Sequence, residues 1–112
     1  MEMYQHDCVT EFRFLLRGEL TGGSVSELEH AWTTATSILN GRALAVDVSG
    51  LMNADESGVG LLFRMRDSGA RLTAPLPPAS EELLRFLGVP VAAPAGGSLR
   101  DTVLRFLRLR NA

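Results

Sequence analysis

The run Ala43-Leu-Ala-Val-Asp-Val48 carries a small or apolar side chain at every position except Asp47. A strand that alternates polar and apolar residues can leave one face in water; a strand without a polar face belongs inside a sheet, covered on both sides. The rest of the chain must therefore supply neighbouring strands and a covering layer. Glu11-Phe-Arg-Phe-Leu-Leu16 is one such neighbour: Phe12, Phe14 and Leu16 share a face, while Arg13 and Arg17 take the other, which Leu15 joins. Met3–His6 reads as a short strand paired to it, and Arg71–Ala74 as another strand.

Between the strands the apolar period changes from two to three and four. Val25, Leu28, Ala31, Trp32, Ala35, Ile38 and Leu39 form one helical stripe, stopped by Asn40-Gly41. Ser24-Val-Ser-Glu27 matches a capping box, in which the serine hydroxyl accepts from the glutamate amide and the carboxylate reaches back. A second helix is predicted from about Glu56 to Ser68, ended by Gly69. After the turn Pro75-Leu-Pro-Pro78, Ser80 caps a short helix with Leu83, Leu84 and Leu87 inward and Gly88 closing it. Val89-Pro-Val91 reads as a brief edge strand, because proline removes a ladder donor. Ala92–Gly97 reads as a loop, and Ser98 opens a last helix with Leu99, Val103, Phe106 and Leu107 inward; Arg100, Arg105 and Arg108 make a solvated face near its end. Strands alternating with helices predict an α/β protein, a mixed central sheet with helices packed mainly on one face.

With 112 residues and no linker long enough to divide it, the chain is expected to be one domain, 1–112. A hydrophobic share of 46% against 21% charged suits a soluble globular protein. No apolar run approaches the roughly 18 residues that cross a bilayer, and the start, Met1-Glu-Met-Tyr-Gln-His-Asp7, lacks the basic and apolar stretches of a signal peptide, so a cytoplasmic location is expected. Cys8 is alone and forms no internal disulfide; it reads as a small semi-buried residue. A net charge of −2, one Trp and one Tyr give no basic, aromatic-interleaved surface for nucleic acid. All 11 basic residues are arginine, which excludes a lysine nucleophile and the lysine-dependent phosphate loop.

Enzymatic chemistry finds little to stand on. The only histidines are His6 and His30, and neither is set by local pattern beside a serine and an acid. No His or Cys pair has metal-ligand spacing, and no cofactor motif is complete. The stretch Asn53-Ala-Asp-Glu-Ser-Gly-Val-Gly60 nevertheless stands out where strand hands over to helix. With Asp55 as N-cap, Glu56 and Ser57 fall in the first turn, where the helix dipole favours acids; capping alone explains both carboxylates. It does not explain Gly58 and Gly60, each costing about 0.8–1 kcal/mol relative to alanine in a helix. Such glycines keep the surface around Ser57 low, open to close approach by another protein.

These residues resemble the STAS domain, the family of anti-sigma factor antagonists and their relatives. Val46-Asp-Val-Ser49 is similar to the family's Asp-Leu-Ser-like strand end, and Asp55-Glu-Ser-Gly-Val-Gly60 to its Asp-Ser-Ser-Gly-Leu-Gly helix start. Leu16-Arg-Gly-Glu-Leu20 is similar to the opening strand–Gly–x–Leu pattern, and Glu82-Leu-Leu-Arg-Phe-Leu-Gly88 through Leu107 to the late helix, strand and final helix. The ordered set spans nearly the whole chain. It implies a regulatory switch and no catalyst: Ser57 phosphorylated by a partner serine kinase that is also the anti-sigma factor, and restored by a phosphatase. Asp55, Glu56, Gly58 and Gly60 then form the switch loop, and Arg64 joins the partner surface. Glu56 departs from the small residue many members carry and raises the electrostatic cost of a neighbouring phosphate. The resemblance leaves a second role open, an accessory subunit bound to the ATPase of a phospholipid-type ABC transporter, with no phosphorylation cycle.

Overall fold

The computed structural model describes residues 1–91. In chain order it comprises strand β1 (Glu2–Asp7), strand β2 (Glu11–Leu20), helix α1 (Gly23–Thr36), strand β3 (Ala43–Ala54), helix α2 (Glu56–Asp67), strand β4 (Arg71–Thr73) and helix α3 (Glu81–Leu87). The strands lie in the order β1-β2-β3-β4. β1 runs antiparallel to β2, and β2, β3 and β4 are mutually parallel, so the sheet is mixed. The expected loop 92–97 and last helix lie outside the described residues.

Period-two alternation decides which way the sheet faces. Phe12, Phe14 and Leu16 on β2 and Leu44, Val46 and Val48 on β3 are buried in one cluster with Val25, Leu28, Leu61, Leu62, Met65, Leu84 and Leu87 from the three helices. All three helices therefore cover the same face. The other face carries Arg13, Leu15 and Arg17 on β2 and Ala45, Asp47 and Ser49 on β3. Here the cover over β3 is no helix. The register sets Ala45 between Arg13 and Arg71. Ser49 is shielded by the proline-rich turn, its Oγ accepting from the Leu76 amide at 3.1 Å and its carbonyl from the Ala79 amide at 2.8 Å.

Several local expectations are corrected. β3 does not stop at Val48 but runs to Ala54, because Leu51, Asn53 and Ala54 pair with Gly18, Glu19 and Leu20 of an equally lengthened β2. Pairing across the sheet overrides the weak strand preference of glycine and asparagine. The capping box fails because α1 begins two residues earlier than that motif requires, at Gly23 with Gly22 as N-cap. Ser24 instead accepts from the Thr21 amide at 2.9 Å and donates to the Thr21 carbonyl at 2.7 Å, closing the turn that enters the helix. α1 ends at Thr36, short of Leu39, which leaves Ile38 43% exposed and outside the core. Val89–Val91 is not a strand, and Cys8 is exposed in the β1–β2 connection.

The end of α1 is secured by a residue to which the sequence reading gave no role. Arg42 donates from Nε to the Leu39 carbonyl at 2.9 Å and from NH2 to the Ile38 carbonyl at 2.7 Å. Its NH1 reaches the Cys8 carbonyl at 2.8 Å and pairs with the Asp7 carboxylate. One guanidinium thus binds the helix end to the β1–β2 hairpin, in the planar, many-donor geometry that lysine cannot reproduce. Arg42→Ala is expected to lower the unfolding free energy by about 2 kcal/mol, and Arg42→Lys to recover under half of it, both measured by urea denaturation.

Candidate functional site

β2, β3 and the loop at Asp55 converge where two parallel strands end and two helices begin. β2 finishes at Leu20 and β3 at Ala54, side by side in the sheet, so α1 and α2 start beside one another. The chain leaves β2 through Gly22, whose φ of 53° and ψ of −123° lie where only glycine is at ease. It leaves β3 through Asp55, in extended conformation, as N-cap of α2.

Asp55 joins the two starts. Its Oδ1 accepts from the Gly58 amide at 2.8 Å, satisfying the first turn of α2. Its Oδ2 accepts from the Gly22 amide at 3.1 Å, so the same carboxylate reaches the N-cap of α1. Its own amide donates to the Leu20 carbonyl at 3.2 Å, and its carbonyl accepts from Val59 at 2.9 Å. Backbone donation, from Gly22 foremost and then Gly58, holds its carboxyl below the ordinary 3.8. The reach to Gly22 was not legible in the sequence, since it joins positions 33 residues apart.

The two glycines of the loop separate into different roles. Gly58 is buried, and a Cβ there would run into the Leu20 carbonyl oxygen and the Leu20 side chain. It is a packing residue, required so that α2 can start against the end of β2, rather than one that lowers the surface. Gly60 is exposed and a Cβ there would meet nothing within 4 Å. No contact among the described residues calls for a glycine at that point.

Glu56 and Ser57 are both exposed at the start of α2. The loop's side-chain hydrogen bonds fall on Asp55, and among the described residues none holds the Ser57 hydroxyl. Ser57, Gly60 and Arg64 follow one another at helical spacing along the exposed side of α2. Arg64 donates to Glu29 of α1 at 3.1 Å, an exposed pair of the kind that adds little stability and yields readily to another partner. His30 sits elsewhere, in the groove between α1 and β1 with Met1, Met3 and Gln5. Asp47 is only 3% exposed and serves structure, its Oδ1 accepting from the Ser49 amide at 2.9 Å. Among the described residues no three His, Cys, Asp or Glu side chains gather to hold a metal ion, and no helix is long and apolar enough to cross a membrane.

No family model and no curated protein sequence matches the chain. Among solved structures, the anti-sigma factor antagonist SpoIIAA in its unphosphorylated form matches with a TM-score of 0.56 at 24% identity, over 91% of this chain and 97% of that one. The Bacillus cell fate determinant SpoIIAA in its phosphorylated form gives 0.57 at 24% identity, over 88% of this chain and 98% of that one. The crystal structure of Mglu gives 0.52 at 17% identity, covering 66% of this chain but 19% of its own. The chain has the SpoIIAA fold, a mixed sheet with its helices on one side.

Two measurements probe this corner. Gly58→Ala is expected to destabilise the fold by about 1–3 kcal/mol through overpacking, whereas Gly60→Ala should stabilise it by about 0.5–1 kcal/mol; equal effects in denaturant titrations would contradict the distinction. The Asp55 contribution, from a carboxyl whose folded pKa lies below its unfolded one, is fully present above pH 3.8 and is lost as pH falls through the folded value. The stability gap between wild type and Asp55→Ala should therefore narrow on acidification below that point, and a gap independent of pH would contradict the assignment.

Proposed function

We propose that this protein is an anti-sigma factor antagonist-like regulator of the STAS family, whose Ser57 accepts a phosphoryl group from a partner serine kinase that is also the anti-sigma factor. The observation that carries the reading is an exposed serine, its hydroxyl bound to no described residue, on a loop fixed by its neighbour Asp55. That loop sits in a fold shared with SpoIIAA, a protein with both an unphosphorylated and a phosphorylated form. All of 1–112 is read as one such domain.

The chemistry asked of this chain is presentation. In the transfer, the Ser57 Oγ forms a bond to the γ-phosphorus of ATP as the bond to ADP breaks, and the hydroxyl proton passes to a base of the kinase. This chain supplies the acceptor and no catalytic group. Asp55 holds the loop without covering the hydroxyl, and the dipole of α2 favours the negative charge that arrives. Glu56 opposes it, so the modified form carries two adjacent anionic groups on one helix end. That density disrupts a docked surface by repulsion and bulk. Before modification, Ser57, Gly60 and Arg64 form the contact stripe.

Glu56 also favours a second reading, in which a permanent carboxylate stands beside a serine that is never modified and the protein is an accessory subunit on a transporter ATPase. The two separate in a pull-down from the native cell extract with wild type, Ser57→Ala and Ser57→Asp as baits. The antagonist reading expects an ATP-binding serine kinase on wild type and Ser57→Ala, with recovery at least about tenfold lower on Ser57→Asp. Mixing that kinase with ATP should add one phosphate to wild type, located at Ser57 by mass spectrometry, and none to Ser57→Ala. A transporter ATPase held equally by all three baits would overturn the antagonist reading.

A further inference from the structure

β1 stands at the edge of the sheet, and among the described residues nothing pairs with its outer side. Edge strands ordinarily carry a device that blocks pairing with another chain, such as a proline, a bulge or a charged side chain in mid-strand, lysine above all. Glu2-Met-Tyr-Gln-His-Asp7 has neither proline nor lysine, its carboxylates stand at the two ends, and all six residues pair with β2 in unbroken register. Register shifts are confined to the β2–β3 ladder. The helix layer also stops short of β1. A groove of about 490 Å³ runs between β1 and α1, with Met1, Met3 and Gln5 on one wall and His30, Ala31 and Thr34 on the other.

We propose that this edge pairs antiparallel with β1 of a second copy, about a two-fold axis through Tyr4, making one continuous eight-stranded sheet from two sheets of four. Directly opposite residues of an antiparallel pair point to the same face. With the axis through Tyr4, Glu2 stands opposite His6, Met3 opposite Gln5, and Tyr4 opposite its own copy. Glu2, Tyr4 and His6 are in register with Arg17, Leu15 and Arg13 and share their helix-free face; Met3 and Gln5 take the helix side. The helices of both copies then lie on one side, and the two grooves merge over the paired strands.

Side-chain pairing selects this register over its neighbours. An axis between Tyr4 and Gln5 sets Glu2 against Asp7, two carboxylates, and turns the helix layers to opposite sides. An axis through Gln5 brings Met3 against Asp7 and forfeits both Glu2–His6 pairs. Only the axis through Tyr4 joins acid to imidazole at both ends and places two half-exposed tyrosine rings, each 44% exposed, together over Leu15. Glu2 keeps its reach to Arg17, at 3.8 Å, on the same face.

The test uses the full chain in sedimentation equilibrium from about 1 μM to about 1 mM. The expected result is a monomer–dimer equilibrium whose dissociation constant rises about tenfold in Glu2→Arg and in His6→Glu, and returns near the wild-type value when both are combined. Far-ultraviolet circular dichroism and thermal melting check that each variant is folded. Register is read separately in a Cys8→Ser background: Tyr4→Cys should cross-link on mild oxidation, its two copies lying about 4.5–5.5 Å apart at Cα, and Gln5→Cys should not. A monomer at every concentration would overturn the proposal, as would a dimer in which Tyr4→Cys fails to cross-link.

Discussion

The carboxylate of Asp55 is the contact on which the architecture of this corner depends. Two helices entering from adjacent parallel strands bring two sets of unpaired amides to one place, and side-chain oxygen must answer them. A single side chain does so for both, with one oxygen on Gly58 and the other on Gly22. The Leu20 carbonyl completes the arrangement, accepting from the Asp55 amide while its position demands a glycine at 58. Strand end, helix cap and loop are therefore one construction. Glu56 and Ser57 protrude from it, and neither is needed to hold it together.

How far the sequence could be read depended on the range of the forces involved. The α2 cap was legible, since Asp55 to Gly58 is a local contact of fixed spacing, and so was the Ser80 cap, which accepts from Leu83 at 3.2 Å. The inward faces of β2 and of α3 were legible because period alone selects them. What escaped was set across the sheet. The extension of β3 to Ala54 depends on β2 extending beside it, and Ser49 closes on a turn 27 residues away. Ser24 shows the limit of a local motif: with Glu27 it has the right letters, but Gly22 lets the helix begin two residues early and the hydroxyl finds Thr21 instead. Of the two loop glycines the sequence offered one explanation, and the structure requires two.

The sheet divides its labour between faces. The helix side holds the apolar cluster and most of the stabilising burial, while the other side mixes arginine, carboxylate and hydroxyl with Leu15 and Ala45, a proline-rich turn lying across one end. Arg42 and Arg66 work at the margins. The first binds the end of α1 to the hairpin, and the second donates to the Leu87 carbonyl at 3.0 Å while lying 4.6 Å above the Phe63 ring. Each stitches a helix end to an element far away in sequence, a use suited to guanidinium in a chain that has no lysine.

The double anchorage of Asp55 bears on how this surface behaves in time. A loop pinned to β2, to the cap of α1 and to its own helix opens only when strand and helix part, so the amide of exposed Gly22 is expected to exchange slowly with that of buried Gly58. On the proposed reading, a phosphate at Ser57 would act by its own charge and bulk, with the backbone beneath left still. The corner is built as a stamp rather than a lever.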